Sequence, residues 1–179
     1  MSMELKALSK QLSWILRHEA ERLHLVIDPE GYVRLDAVLG VIRRDHPQVS
    51  EADIRAAVEQ VSQRKQRFSI AGEWIRANYG HSLATRVAQE VASAPDELFH
   101  GTTVAALEAI LREGLRPMQR QYVHLTPDAD LARSVGSRHG KPCLVRVDAR
   151  QAQAAGVVFY CANRSFWLAE QVPAAFLRA

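Results

Sequence analysis

The sequence predicts an α+β fold in two lobes. Three observations carry that expectation. Apolar residues recur at helical spacing through the first third of the chain, an alternating hairpin pattern closes that stretch, and after a polar, alanine-rich connection the rhythm changes to short strands separated by short helices. The expected bounds are residues 1–82 for the first lobe, 83–94 for the connection and 95–179 for the second lobe.

Leu5, Leu8, Leu12, Ile15 and Leu16 form one face of a helix running to about Arg17–His18. Asp28-Pro29-Glu30-Gly31 reads as a turn, and Tyr32-Val33-Arg34 as a short extended piece. Leu35, Val38, Leu39 and Ile42 define a second helix that stops before Pro47. Ser50 with Asp53 three residues on has the form of a capping box. It opens a third helix whose apolar face is Ile54, Ala57, Val58 and Val61. Arg67–Ile70 and Glu73–Ala77, joined at Ala71-Gly72, read as a hairpin. Three helices closed by a β-hairpin make the winged-helix pattern.

In the second lobe, Leu98-Phe99-His100 is a short strand ending in Gly101-Thr102-Thr103. Thr103 is placed to cap a helix that buries Val104, Leu107, Ile110 and Leu111 and ends at Gly114. Tyr122–Thr126 alternates like a strand, and a short helix follows Pro127. Further strands are expected at Cys143–Val147, Val157–Phe159 and Phe166–Leu168. The chain has no GxGxxG turn, which disfavours a Rossmann site.

With 179 residues, 47% hydrophobic and 24% charged, the chain can bury a substantial core. No apolar run approaches the roughly 18–20 residues that span a bilayer, and the N-terminus lacks the pattern of a signal peptide. Cys143 and Cys161 are not spaced for zinc or a disulfide framework, so buried, inert thiols in a reducing cytoplasm are expected. Net charge is only +3, but arginine outnumbers lysine 19 to 4 and the basic residues cluster. Residues 64–86 hold Arg64, Lys65, Arg67, Arg76 and Arg86 against Glu73 alone. A polyanion partner suits that clustering, because the guanidinium fork grips phosphate at two points. A genome rich in arginine codons accounts equally well for the total.

Several residues are placed for chemistry, each with a plainer alternative. Arg17-His18 closes a helix, where basic residues also complement the helix dipole. Asn78-Tyr79-Gly80-His81-Ser82 is a turn able to cradle an anion, or an ordinary hairpin exit. His100-Gly101-Thr102 stands before a helix N-terminus, which favours phosphate. His124 lies on an alternating strand, where a histidine is more often a core residue than a ligand. Arg120 and Arg138 flank that region and are equally readable as surface residues. No His/Cys/carboxylate set is spaced for a metal, so none is expected.

Taken in order, these segments resemble one family, the Tpt1/KptA RNA 2′-phosphotransferases. The stretches that carry the resemblance are LSWILRHEA (12–20), RKQRFSI (64–70), WIRANYGHS (74–82), LFHGTT (98–103), EGLRPMQRQYVHLT (113–126), SVGSRHGKPCLV (134–145) and FWLAEQVP (166–173). The resemblance implies a winged-helix first lobe and a second lobe of the ADP-ribosyltransferase type. It also implies a reaction with NAD⁺ as co-substrate on RNA carrying a 2′-phosphate, as in transfer-RNA splicing. The 2′-phosphate attacks the nicotinamide ribose C1″ and expels nicotinamide, leaving 2′-phospho-ADP-ribosylated RNA. The ribose 2″-hydroxyl then attacks phosphorus, releasing ADP-ribose 1″,2″-cyclic phosphate and RNA with a plain 2′-hydroxyl.

By the same resemblance the catalytic set is Arg17, His18, Arg67 and Arg120, with Arg138 the second choice for the last place. His18 would orient the phosphate or donate a proton. His100, Gly101, Thr102 and His124 would contact NAD⁺, with Asn78, Gly80, His81 and Ser82 near phosphate and ribose. Arg76 and Arg138 are candidate RNA-phosphate contacts. The sequence departs from the family at three places: Ala20 replaces a proline, Tyr79 replaces a glutamine, and Asn163–Leu168 holds one extra residue. Two other readings compete: an ADP-ribosyltransferase that stops after the first step, on nucleic-acid phosphate ends or protein, and a winged-helix nucleic-acid-binding regulator. Nothing in the sequence demands more than a monomer, nor a membrane partner.

Overall fold

The computed structural model describes residues 4–138 and 140–179, and of residues 61–65 the backbone alone. The expectations for the side chains of Val61, Arg64 and Lys65 therefore lie outside the described residues. The chain divides into two compact units, Met1–Ala88 and Gln89–Ala179.

In the first unit, helix α1 (Leu5–Trp14) runs directly into a π-helical turn, Ile15–Glu19. The apolar face read from the sequence is real: Leu8, Leu12, Ile15 and Leu16 are buried, and Leu5 packs against them. The turn at residues 28–31 is held by the Asp28 carboxylate, whose Oδ1 accepts from Glu30 N–H at 2.9 Å and Tyr32 N–H at 2.7 Å. Strand β1 (Val33–Arg34) leads into α2 (Leu35–Arg43), which ends short of Pro47. Helix α3 (Glu51–Lys65) opens on the expected capping box: Asp53 N–H donates to Ser50 Oγ, and Ser50 N–H donates back to Asp53 Oδ2.

Strands β2 (Phe68–Ala71) and β3 (Trp74–Ala77) form the hairpin. Its turn falls one residue later than the sequence suggests, at Gly72-Glu73. Ala71 pairs with Trp74, while Glu73 gives its carbonyl to Leu35 N–H at 2.8 Å, and Gly72 supplies the positive φ of +59°. The sheet is antiparallel in the order β1-β3-β2. Phe68, Ile75 and Ala77 face the core beneath α1, α2 and α3.

The second unit holds two small antiparallel sheets among the described residues. One has the order β4-β6-β9, from Glu97–Thr103, Pro142–Asp148 and Leu177–Arg178. The other has the order β5-β8-β7, from Val123–Leu125, Trp167–Ala169 and Phe159–Cys161. An isolated bridge, Phe99↔Thr126, joins them. Helices α4 (Val104–Glu113), α5 (Ala129–Gly136) and α6 (Ala149–Ala154) complete the unit, with a 3-10 turn at Ala174–Phe176.

Several expectations are corrected here. Thr103 stands at the N-cap of α4 but makes no side-chain cap bond, because it is still paired with Pro142 as the last residue of β4. Val104 is 50% exposed rather than buried: its N–H docks on the Lys141 carbonyl, and packing is left to Leu107, Ile110 and Leu111. Strand β7 begins two residues late, since Val157 N–H closes the end of α6 on the Ala152 carbonyl and leaves Val158 exposed. Strand β8 also begins late. The Asn163 carboxamide oxygen accepts from Ser165 N–H and Phe166 N–H at 2.8 Å each, an Asx turn that absorbs the extra residue of this segment. Cys143 and Cys161 are free and half-buried rather than buried, and lie in different sheets.

Gly101 and Gly136 explain how α5 sits on β4. A Cβ at Gly101 would stand 1.8 Å from the Ala132 carbonyl oxygen, and one at Gly136 would stand 2.5 Å from the Thr102 carbonyl oxygen. Neither position admits a side chain unless backbone moves. Gly101→Ala is expected to cost about 3 kcal/mol, the upper end for overpacking a filled site. Urea unfolding followed by circular dichroism measures this, and a midpoint equal to the parent's would show that α5 can lift off without loss.

Candidate active site

The first-unit site is built on the π-helical turn. Such turns are rare, arise mostly as single insertions in α-helices, and concentrate at functional sites. Ile15 and Leu16 anchor this one in the core, while Arg17 and His18 emerge half-buried on its other side. The loop leaving β3 then closes over them. Ser82 N–H donates to the Arg17 carbonyl at 2.9 Å, and His18 Nδ1 lies 2.7 Å from Ser82 Oγ. Glu21 holds that loop from below: its two carboxylate oxygens accept from Ala84 N–H at 3.0 Å and Thr85 N–H at 2.7 Å. Hydrogen bonds from Thr85, then from Ala84, hold the Glu21 carboxyl below the usual carboxylate range.

The Arg17 side chain packs against two residues of the same loop. Its guanidinium carbon is 4.9 Å from the centroid of the Tyr79 ring. It also lies against Gly80, where a Cβ would meet Cδ, Nε and Cζ of Arg17 at 3.4 Å. Gly80 also has φ +88°, a conformation natural to glycine. The planar cation is thereby held by a cation–π contact and a bare backbone.

The backbone of Arg67 is tied to the same loop. Asn78 N–H donates to the Arg67 carbonyl at 2.9 Å, one residue before Tyr79. The Asn78 carboxamide is committed to protein: Nδ2 donates to the Gln66 carbonyl and Oδ1 accepts from Ser69 Oγ, both at 2.8 Å. Asn78 and His81 are each only 3% exposed. In this conformation Asn78 acts as the brace that fixes where Arg67 leaves the chain, and His81 sits under the turn at Gly31. Arg76 points elsewhere, its guanidinium 4.7 Å over the Tyr32 ring with Nη1 donating to the Glu30 carbonyl at 3.2 Å. Ala20, where the family has proline, is fully buried, and the helix still ends at Glu19.

In the second unit, His100, Gly101 and Thr102 lie within β4, paired with Val145, Leu144 and Cys143, rather than at a strand end. Beyond the Phe99↔Thr126 bridge, His100 Nδ1 meets the His124 carbonyl at 2.9 Å. A carbonyl can only accept, so Nδ1 carries the proton and Nε2 the lone pair. Burial pushes the His100 imidazole below its ordinary pKa against the opposing pull of that carbonyl, so the ring is neutral at pH 7. His124 is half-buried in β5, opposite Leu168. Arg120 is exposed in a turn where its N–H donates to the Pro117 carbonyl, and Arg138 is exposed in the turn after α5.

The depressed His100 pKa carries a pH signature. The unfolded chain takes up this proton as pH falls below about 6.5, while the folded chain resists it. The unfolded state then binds more protons, so stability falls on acidification through that range. The melting temperature of the parent is expected to drop more between pH 7.5 and 5.5 than that of His100→Asn. Identical pH slopes in the two proteins would refute it.

Sequence reasoning missed three contributors: the π turn, the Tyr79 contact on Arg17, and the Glu21 clamp on Ala84 and Thr85. Tyr79 was visible only as a departure from the family pattern, and Glu21 had no signal at all. Among the described residues no group of three or more His, Cys, Asp or Glu side chains is placed to hold a metal ion, and no helix is long and apolar enough to cross a membrane.

Comparison with known proteins agrees with the ordered motifs. A protein of Agrobacterium fabrum named "Probable RNA 2'-phosphotransferase" is 42% identical over 171 residues, covering 96% of this chain and 92% of its own length. Proteins of the same name from Streptomyces coelicolor and Hahella chejuensis are 40% and 38% identical, covering 95% and 99% of this chain and 92% and 95% of their own lengths. The family described as RNA 2'-phosphotransferase, Tpt1 / KptA family matches residues 3–171. A match that runs through the π turn, the loop of Asn78–Ser82 and the His100 strand alike leaves one assignment: this chain belongs to the Tpt1/KptA family of RNA 2′-phosphotransferases.

Proposed function

We propose that this protein is an NAD⁺-dependent RNA 2′-phosphotransferase that removes an internal 2′-phosphate from RNA of the splice-junction type. The observation that carries this reading is the fixing of two adjacent residues, Arg17 and His18, by one loop: Tyr79 and Gly80 pack against the Arg17 side chain and Ser82 engages the imidazole. A held cation beside a held imidazole suits a phosphate dianion that must be positioned before it reacts. The helices and three-stranded antiparallel sheet of the first unit support a winged-helix lobe, and the two small bridged sheets of the second support one of the ADP-ribosyltransferase type.

The residues present suit NAD⁺. His100 is neutral, with its lone pair on Nε2, and a ribose hydroxyl is a donor that such a nitrogen accepts. When bound, NAD⁺ supplies an electrophilic ribose carbon with nicotinamide as leaving group, and a neighbouring hydroxyl to receive the phosphoryl group. Arg17, His18, Arg67 and Arg120 are the residues we assign to handling the phosphate. His100, Thr102 and His124 hold the dinucleotide, Gly101 lets α5 pack on their strand, and Gly80 and Ser82 keep the phosphate-handling pair in place. The two free thiols suit a reducing cytoplasm, and the protein acts as a monomer.

The test is a 2′-phosphorylated oligonucleotide incubated with and without NAD⁺, the products resolved by mass. The reading expects dephosphorylated RNA and ADP-ribose cyclic phosphate only when NAD⁺ is present. Phosphate loss without NAD⁺ overturns it, and a stable ADP-ribosyl adduct would instead identify an enzyme that stops after one transfer.

A further inference from the structure

Helix α1 places one more chemical group beside the proposed phosphate site. Trp14 is the last α-helical residue before the π turn, one turn ahead of His18. It is 50% exposed, although large aromatic side chains are usually well covered in a folded chain. It lines the same hollow as His18 and Ser82, of about 580 Å³, within the size range of ligand clefts.

The hollow also contains two carboxylates, which would repel a polyanion if they faced it uncompensated. Both are engaged. Glu21 receives the Ala84 and Thr85 N–H groups on its two oxygens, and Glu19 lies 3.5 Å from the Arg22 guanidinium. The hollow therefore offers a ligand an exposed indole and, one helical turn along, an imidazole. Single-stranded RNA is held this way, with bases stacked on aromatic rings and phosphates on basic groups.

We propose that Trp14 is a stacking platform for a nucleobase adjoining the 2′-phosphate, so that the enzyme grips its RNA by base as well as by phosphate. The proposal rests on the functional reading above, in which His18 faces that phosphate. Stacking on an indole tolerates any base, so the subsite adds affinity without sequence preference.

Steady-state kinetics of Trp14→Ala and Trp14→Phe test it with two substrates. One is a 2′-phosphorylated oligonucleotide, and the other has abasic residues at the phosphorylated position and its two neighbours. On the first, Trp14→Ala is expected to raise KM ~10- to 100-fold with kcat little changed, and Trp14→Phe to restore most of the loss. On the abasic substrate parent and variants should coincide. Equal KM values on the base-bearing substrate overturn the proposal, as does an alanine defect that persists on the abasic one. A second readout does not need turnover: in a Trp74→Phe, Trp167→Phe background, Trp14 emission should be quenched by the base-bearing oligonucleotide and not by the abasic one. Quenching without NAD⁺-dependent turnover would sustain Trp14 and sink the functional reading. Turnover without quenching would do the reverse, and would point to a protein-facing role for the exposed ring.

Discussion

Replacing Arg17 by alanine is expected to lower turnover of a 2′-phosphorylated oligonucleotide by about 10³-fold, the loss that follows when one fixed donor is removed from a site of developing charge. The fold should survive. The side chain stacks on the Tyr79 ring, and a cation–π contact of this kind is worth about 1 kcal/mol. Arg17→Lys separates charge from shape. Lysine keeps the positive charge but loses the planar fork that stacks on Tyr79, so a loss of about 10²-fold is expected rather than recovery. Single-turnover rates, with thermal melts on the same preparations, give both quantities. Activity of Arg17→Ala within about tenfold of the parent would remove Arg17 from the chemistry.

Much of this was legible beforehand where one residue's own chemistry decides its local structure. The buried stripe of α1 follows from its spacing of leucines, and Ser50 with Asp53 forms the capping box because each side chain reaches the other's backbone. Strand bounds were less legible because they depend on competing demands for the same N–H groups. Val157 N–H goes to the end of α6 and Phe166 N–H to the Asn163 side chain, so pairing starts later than the apolar runs do. Helix α6 escaped notice because Ala149 and Ala152 are weak apolar signals that only tertiary packing buries.

The site divides along the same line. Motif order singled out Arg17, His18 and the Asn78–Ser82 turn as candidates, yet it could not say what each does. Asn78 looks like a ligand in a polar turn and is, in the fold, a brace between Gln66, Ser69 and Arg67. Gly101 looks like an opening for a ligand, but the space of its missing side chain is filled by the Ala132 carbonyl. The Tyr79 contact with Arg17 joins residues far apart in the chain and needs the third dimension to be seen.

Arg67 should reveal itself by which step it slows. Its carbonyl is held by Asn78, whose carboxamide is tied on both sides, so its backbone is fixed. Such a cation assists binding in both steps, but it matters most where phosphorus gains charge as a second oxygen enters, which is the second step. Arg67→Ala is therefore expected to slow the first transfer about tenfold and the second by about 10²- to 10³-fold. RNA still carrying ADP-ribose on its 2′-phosphate should then become the major species in a rapid-quench time course, where the parent shows little of it. Arg120→Ala should behave the same way and Arg138→Ala should stay near the parent, which decides between the two exposed arginines of the second unit. If Arg67→Ala slows both steps by the same factor, this arginine only binds the RNA, and the charge formed at phosphorus is met by another group.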